Sequence, residues 1–383
     1  MYKKKIICFI KYYLPGYKSG GPVRTIANLI EKIGNDYFFD IVTSDRDVYD
    51  SNSFQNIKVD DWNEAHNSRI FYSSSFISFL CKLPIFFRSK SYDYIYLNSF
   101  FSFQFSIIVL INIFLKIIPQ TKIIIAPRGE FSLSALTIKK FRKNFYLSIF
   151  KLFNLDQDIV WQASSIYELN DIKNIFKRRK LNIKIAPDIP EINFDRKDNN
   201  LKLSMNPLKI IFLSRISSIK NLDFAIEVLK ELKINVHFEI VGPICDKHFW
   251  EYCITLLKEL PLNISYSYLG AINHKEVGKK ISNNHLFFLP TKSENYGHTI
   301  FESLSVGTPV LISNQTPWRN LSDHNVGWDI PLLNKFDFVH SINYMAKLSQ
   351  KEYEQKRLDS VKFVKKKINI NKILKSNKEL FCQ

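Results

Sequence analysis

The sequence has no Gly- or Ser-rich linker, no internal repeat and no low-complexity tract, which excludes a flexible string of modules and a disordered chain. It lacks metal-binding spacing. Five cysteines (Cys8, Cys81, Cys245, Cys253 and Cys382) are scattered, none in a C-x-x-C or Cys/His pattern. Cys8 and Cys81 lie in apolar runs and read as small core residues. A reduced cytosolic chain is the simplest account. Neither G-x-G-x-x-G nor a P-loop occurs, and no helix-turn-helix, zinc-finger or RNA-binding signature is present. The apolar run within Met1–Ile10 is too short for a signal peptide and has no small-residue cleavage site, so it reads as a buried first strand. The longest apolar stretch, Phe101–Ile118, is interrupted by Gln104, Asn112 and Lys116. A largely buried helix fits it better than a membrane span. Acidic residues are the scarcer charge, 36 against 54 Lys and Arg, for a net charge of +18. Three readings of that excess compete: nucleic-acid binding, which has no motif to support it, attraction to an anionic membrane face, and a bias toward Lys, Ile, Asn and Phe.

What is present is an alternation of short β-branched runs with helical patterns. The 383 residues, 46% hydrophobic and 23% charged, suffice for two α/β domains. Strands are predicted at Lys5–Ile10, Phe38–Thr43, Tyr94–Asn98, Lys122–Ala126, Asp158–Gln162 and Ile183–Ala186. Helices are predicted near Pro22–Ile33, Phe101–Ile117, Lys139–Leu152 and Ser165–Ile175. A polar stretch, Asp188–Pro207, reads as a linker. The pattern restarts with strands at Lys209–Leu213, His237–Val241, Ser265–Leu269, Leu286–Leu289 and Val310–Ile312. Helices are predicted here at Asn221–Leu232, Lys247–Leu260, Lys275–Ile281 and Thr299–Ser305. The expected organisation is an N-terminal domain over 1–190, a C-terminal domain over 207–350 and a helical tail over 351–383. Each domain is expected to be a doubly wound parallel sheet, with ligands bound beyond the C-terminal strand ends.

The informative residues should therefore follow strands. Arg215 and Lys220 follow Lys209–Leu213 and precede a helix, where two cations suit a diphosphate; a solvated basic loop is the plainer reading. Glu294 and Glu302 flank a helix start after Leu286–Leu289, and two such carboxylates can accept hydrogen bonds from sugar hydroxyls. Gly297 between them lets backbone approach a ligand. Surface charge around a helix start is the competing account. Gly307-Thr308-Pro309-Val310 reads as a helix end and a buried strand. Ser19-Gly20-Gly21-Pro22, after the first strand, presents backbone N–H groups to a phosphate or sugar, or is simply a tight turn. Arg128, in Pro127-Arg128-Gly129-Glu130, either points into a cleft to meet a phosphate or acceptor, or is a turn arginine in an ion pair. Asp45-Arg46-Asp47 resembles a metal-holding Asp-x-Asp but lies far in sequence from Arg215 and Lys220. The basic stretch Lys139–Asn154 is either an ordinary amphipathic surface helix or one that lies on anionic lipid.

Taken together, the C-terminal half resembles the group 1 glycosyltransferases, retaining family four, with the GT-B fold of two Rossmann-like domains facing across a cleft. The resemblance rests on Arg215 with Lys220, on Glu294 with Glu302, and on Gly307-Thr308-Pro309-Val310. Pro127-Arg128-Gly129, Thr43-Ser44-Asp45-Arg46-Asp47 and Thr316-Pro317-Trp318 look like a bacterial subgroup that builds surface polysaccharides. The resemblance implies that Arg215 and Lys220 bind the donor diphosphate, Glu294 the donor sugar and Glu302 the ribose. Backbone at Asn295, Tyr296, Gly297, His298 and Thr299 would line the sugar and phosphate, with Gly20 and Gly21 closing from the N-terminal domain. Arg215, Lys220 and Glu294 would be catalytic, together with Arg128, which inherits the position where many members have His-Gly.

The implied activity is retaining transfer of a sugar, without a metal or other cofactor, from a nucleoside-diphosphate sugar to a glycan hydroxyl. The acceptor would be a growing lipid-linked surface glycan, which implies a cytoplasmic protein peripheral on the inner membrane face, an anionic membrane as partner and no role for nucleic acid. The alternatives are a sugar-nucleotide epimerase or soluble-acceptor synthase, and a non-catalytic membrane-associated scaffold.

Overall fold

The computed structural model describes residues 3–88, 90–156, 158–177, 180–191 and 207–382. The chain forms two compact units. One comprises Met1–Pro190 with Ile370–Gln383, the other Glu191–Asn369.

The first unit runs β1 (Lys4–Phe9), α1 (Gly21–Ile33), β2 (Tyr37–Ser44), β3 (Trp62–Ala65), β4 (Ser68–Ser73), α2 (Phe76–Arg88) and β5 (Tyr94–Leu97). A π-helical turn, Phe103–Ile107, leads into α3 (Ile108–Phe114). Then come β6 (Lys122–Ile125), α4 (Leu133–Thr137), α5 (Lys140–Leu152), β7 (Ile159–Ala163), α6 (Ile166–Ile175) and β8 (Asn182–Ile185). The sheet order is β3-β4-β2-β1-β5-β6-β7-β8. Only β3 runs antiparallel to its neighbour. Runs such as Lys122-Ile-Ile-Ile125 form central strands because a parallel sheet is covered on both faces and both sets of side chains must be apolar. One face packs Phe79 and Leu83 of α2, Val109 of α3, Phe150 of α5 and Ile172 of α6. The other packs Val23, Ile26, Leu29 and Ile30 of α1.

The second unit runs β9 (Leu208–Leu213), α7 (Leu222–Lys230), β10 (Val236–Val241), α8 (Lys247–Lys258), β11 (Ile264–Tyr268) and α9 (His274–Ser282). It continues through β12 (Leu286–Leu289), α10 (His298–Ser305), β13 (Val310–Ser313), β14 (Gly327–Ile330), α11 (Lys335–Lys347) and α12 (Gln350–Lys367). Its six strands are ordered β11-β10-β9-β12-β13-β14. The last helix, α13 (Ile370–Leu380), returns to the first unit. There Leu380 and Phe381 join the core beside α1, and the Phe381 ring packs against Tyr37, Phe39, Tyr94 and Tyr96. The residues read as one tail over 351–383 are thus divided between the units.

Three further expectations change. Phe101–Ile118 is not a largely buried helix: the α-helical part covers seven residues, and Ile111, Phe114, Leu115 and Ile117 are exposed. Among the described residues no helix is long and apolar enough to cross a membrane. Cys81 is exposed, because it sits on the outer side of α2, whereas Cys8 is buried and burial pushes its thiol up to about 12. Asp188 and Ile189, read as the start of the linker, are buried; residues 192–206 of that stretch lie outside the described residues.

Candidate functional site

In the second unit β9 and β12 are neighbours, while β10 and β11 continue to one edge and β13 and β14 to the other. Such a reversal opens a crevice beyond the C-terminal ends of the two strands. The loops leaving β9 and β12 bring Lys220 and Glu294 together in an ion pair. Lys220 is buried and Glu294 half-buried, while Arg215 is exposed. Backbone bonds tie these loops to each other and to the loop after β13. The Lys292 N–H donates to the Ile219 carbonyl at 2.7 Å, and the Glu294 N–H to that of Gln315 at 3.0 Å. The Asn221 side-chain amide donates to the Pro290 carbonyl at 3.0 Å. The pair is therefore held by its frame as well as by its charge.

Asn295 and Tyr296 continue the loop, both half-buried. Gly297 caps α10 with φ 81°. A Cβ there would lie 2.9 Å from Ile300 Cδ1 and 3.0 Å from Trp318 Nε1, so both the backbone conformation and the space require glycine. The Trp318 indole N–H donates to the Tyr296 carbonyl at 2.7 Å and fixes this turn. His298 and Thr299 open the helix, where first-turn N–H groups have no intrahelical acceptor and favour an anion. The His298 ring packs on Tyr296 with centroids 4.8 Å apart. Glu302 lies one turn further on, half-buried. His274, at the start of α9, stands between two carboxylates: Nδ1 is 3.7 Å from Glu302 Oε1, and Nε2 is 2.7 Å from Glu191 Oε2. Sequence reasoning missed His274, since neither carboxylate is near it in the chain.

The first unit reverses its strand order between β1 and β5. The loop after β1 carries Gly20, the N-cap of α1 at φ 74°, and Gly21, the first residue of that helix. A Cβ on Gly20 would meet nothing within 4 Å, so glycine is required there by backbone conformation alone and the space beside it is open. Asp47 shapes this loop by accepting the N–H groups of Tyr17 at 2.7 Å and Lys18 at 2.9 Å. Asp45 is buried and binds Arg46 at 2.8 and 3.0 Å. The Asp47 carboxylate thus serves the loop after β1, while that of Asp45 holds Arg46. Among the described residues no three His, Cys, Asp or Glu side chains gather as a metal site.

Arg128 takes the second of its two readings. Its side chain is buried rather than presented to a ligand, because Asp188 and two side chains near β5 supply acceptors below the surface. Nη1 donates to Asp188 Oδ1 at 2.5 Å, and Nη2 donates to the Tyr96 hydroxyl at 2.7 Å and to Asn98 Oδ1 at 2.9 Å. Thr25 donates to the other Asp188 oxygen at 3.0 Å. Burial opposes the charge of Arg128, but Tyr96, Asp188 and Glu168 outweigh it and its pKa is raised. Burial raises the Glu168 carboxyl despite the Ser164 and Gly129 N–H groups it accepts. Glu130 is likewise raised by burial, against bonds from Ser99, Phe101 and Phe100. The segment around Arg128 is an internal brace of the first unit.

Two parallel-sheet α/β units of this kind are the GT-B fold of solved glycosyltransferases. A sucrose-phosphate synthase from Thermosynechococcus elongatus superposes with a TM-score of 0.76 at 14% identity, over 100% of this chain and 99% of that one. Anabaena Alr3699/HepE, solved in complex with UDP and glucose, gives 0.71 at 14% identity over 99% of each chain. WaaG, a glycosyltransferase involved in lipopolysaccharide biosynthesis, gives 0.68 at 12%, over 98% of this chain and 99% of that one. More narrowly, residues 193–360 match the family model of the glycosyl transferases group 1. No curated protein sequence matches the chain significantly.

Proposed function

We propose that the protein is a retaining glycosyltransferase that moves a sugar from a nucleoside-diphosphate sugar to a hydroxyl of a growing, lipid-linked surface glycan. The observation that carries this reading is the Lys220–Glu294 pair beyond β9 and β12, beside the N-terminus of α10. Without ligand each charge compensates the other. A donor diphosphate would draw Lys220, with Arg215, onto its oxygens, leaving the Glu294 carboxylate to accept from sugar hydroxyls. Glu302 would accept from the ribose, and the α10 backbone at His298 and Thr299 would donate to phosphate. Negative charge grows on the leaving phosphate during transfer, so Lys220 and Arg215 stabilise the transition state more than the bound donor, with no metal required. Arg128 has no catalytic part. The lipid-linked acceptor places the protein on the cytoplasmic face of the membrane. The UDP bound in Alr3699/HepE and the lipopolysaccharide role of WaaG support the donor class and the acceptor class respectively.

Thermal denaturation with UDP, GDP, ADP and CMP and their sugars, with and without Mg²⁺, tests the donor site. One nucleoside diphosphate should stabilise the wild type and fail to stabilise Arg215→Ala. No shift with any nucleotide would refute the reading.

A further inference from the structure

A helix that covers a sheet needs one apolar stripe; α5 has two. Leu147 and Phe150 face the core. On the opposite side Phe141, Phe145 and Leu152 are 91%, 69% and 74% exposed, with Ile149 between them. The spacing 141, 145, 149, 152 is one helical face. Leu133, just ahead on α4, is 85% exposed. The patch continues onto the end of α3, where Phe114, Leu115 and Ile117 are exposed, and Phe114 meets Phe153 with ring centroids 5.4 Å apart. So much contiguous apolar surface marks an interaction site.

The exposed charges of this segment have one sign. Between Phe101 and Leu155 there are eight Lys and Arg and one acid, Glu130. Glu130 is turned inward, accepting from the Ser99 hydroxyl at 2.7 Å and from the N–H groups of Phe100 and Phe101 at 2.6 and 3.0 Å. Lys116, Lys139, Lys140 and Arg142 are exposed beside the apolar side chains.

We propose that this face of α3, α4 and α5 docks the protein on an anionic lipid bilayer, the aromatic and leucine side chains entering the acyl boundary and the cations meeting headgroup phosphates. A bilayer is favoured over a protein partner by charge complementarity: no exposed acid in this segment opposes a continuous anionic sheet. The inference stands on the surface itself and meets the proposed function only in that a lipid-linked acceptor is reached from a membrane.

The test is co-sedimentation of the full chain with vesicles of phosphatidylcholine, alone or mixed with phosphatidylglycerol. The wild type should partition onto the mixed vesicles. Lys139→Gln/Lys140→Gln/Arg142→Gln should weaken that partition about a hundredfold. Phe141→Ser/Phe145→Ser/Leu152→Ser should weaken it at least about tenfold, with melting temperature unchanged because the positions are on the surface. Equal binding to both vesicle types, or wild-type binding by both variants, would overturn the proposal. So would a wild-type dimer that the serine variant dissociates, since the face would then be a contact between copies. Vesicle binding without nucleotide stabilisation would leave the docking in place and remove the transferase reading; nucleotide stabilisation without vesicle binding would do the reverse.

Discussion

Replacing Lys220 by Met should separate two roles of one ammonium group. The Lys220 and Glu294 side chains are 11% and 18% exposed. Removing one partner of a fully buried pair costs about 3–5 kcal/mol, chiefly through the charge left behind. Partial hydration of Glu294 brings this to about 2 kcal/mol, or about 4–8 °C in the melting temperature of a unit this size. Glu294→Gln strands the Lys220 ammonium instead, but the amide oxygen can still accept its hydrogen bond, so this variant should cost less. In Lys220→Met/Glu294→Gln neither charge is stranded, so the double variant should be more stable than Lys220→Met alone, with a coupling of about 1–2 kcal/mol. Donor affinity should behave differently. A charge-assisted hydrogen bond to the diphosphate is worth about 1.5–3 kcal/mol, so every variant lacking Lys220 should bind the nucleoside diphosphate about 10–150-fold more weakly, the double variant included. Differential scanning fluorimetry reads the first quantity and isothermal titration calorimetry the second. A stable double variant that binds within about threefold of wild type would show that the pair only ties two loops together. Equal melting temperatures for all four proteins would show that the pair does not form.

Three other perturbations follow from the same structure. Arg128→Met strands the buried Asp188 carboxylate and should lower the stability of the first unit by about 3–5 kcal/mol in denaturant; wild-type stability with lost turnover would instead return Arg128 to the chemistry. Burial pulls Lys356 down to about 8 against the attraction of Asp359. Its ammonium lies 2.8 Å from Asn325 Oδ1 and 4.8 Å from the Trp328 ring centroid. Between about pH 8 and its unfolded value of 10.5 the unfolded chain holds the extra proton, so stability should rise with pH across that window. Lys356→Met should remove that rise, read as the change in urea midpoint relative to wild type. Gly297→Ala forces a Cβ against Ile300 and Trp318 at positive φ and should cost about 1–3 kcal/mol while loosening the α10 N-terminus; an unchanged melting temperature would contradict this.

The strands on both sides of each sheet reversal were legible because they are buried on both faces and read as unbroken apolar runs, as in Tyr94–Leu97 and Leu286–Leu289. The region from Trp62 to Arg88 was not. β3 and β4 form an edge hairpin with polar Asn63, Glu64 and Arg69, and α2 contains Pro84, which reads as a break. At the candidate site Lys220 and Glu294 were legible as strand-end charges, but their contact was not, because it depends on β12 inserting beside β9. Arg128 shows the limit from the other side: its partner Asp188 lies 60 positions away, in a stretch whose composition reads as linker. Polar residues announce themselves in sequence; the direction they face is set by elements remote in the chain.

The return of α13 to the first unit makes the second unit, topologically, an insertion into the first. The Lys4 ammonium donates to the Phe381 carbonyl at 2.8 Å, Lys184 to that of Glu379 at 2.8 Å, and Asn377 to that of Pro187 at 2.8 Å. The first unit's core is therefore finished by residues synthesised after the whole of the second. Until they emerge, the aromatic socket of Tyr37, Phe39, Tyr94 and Tyr96 stays open and apolar on the nascent chain. The second unit, whose residues all precede α13, can close its core before the first, although it begins later in sequence.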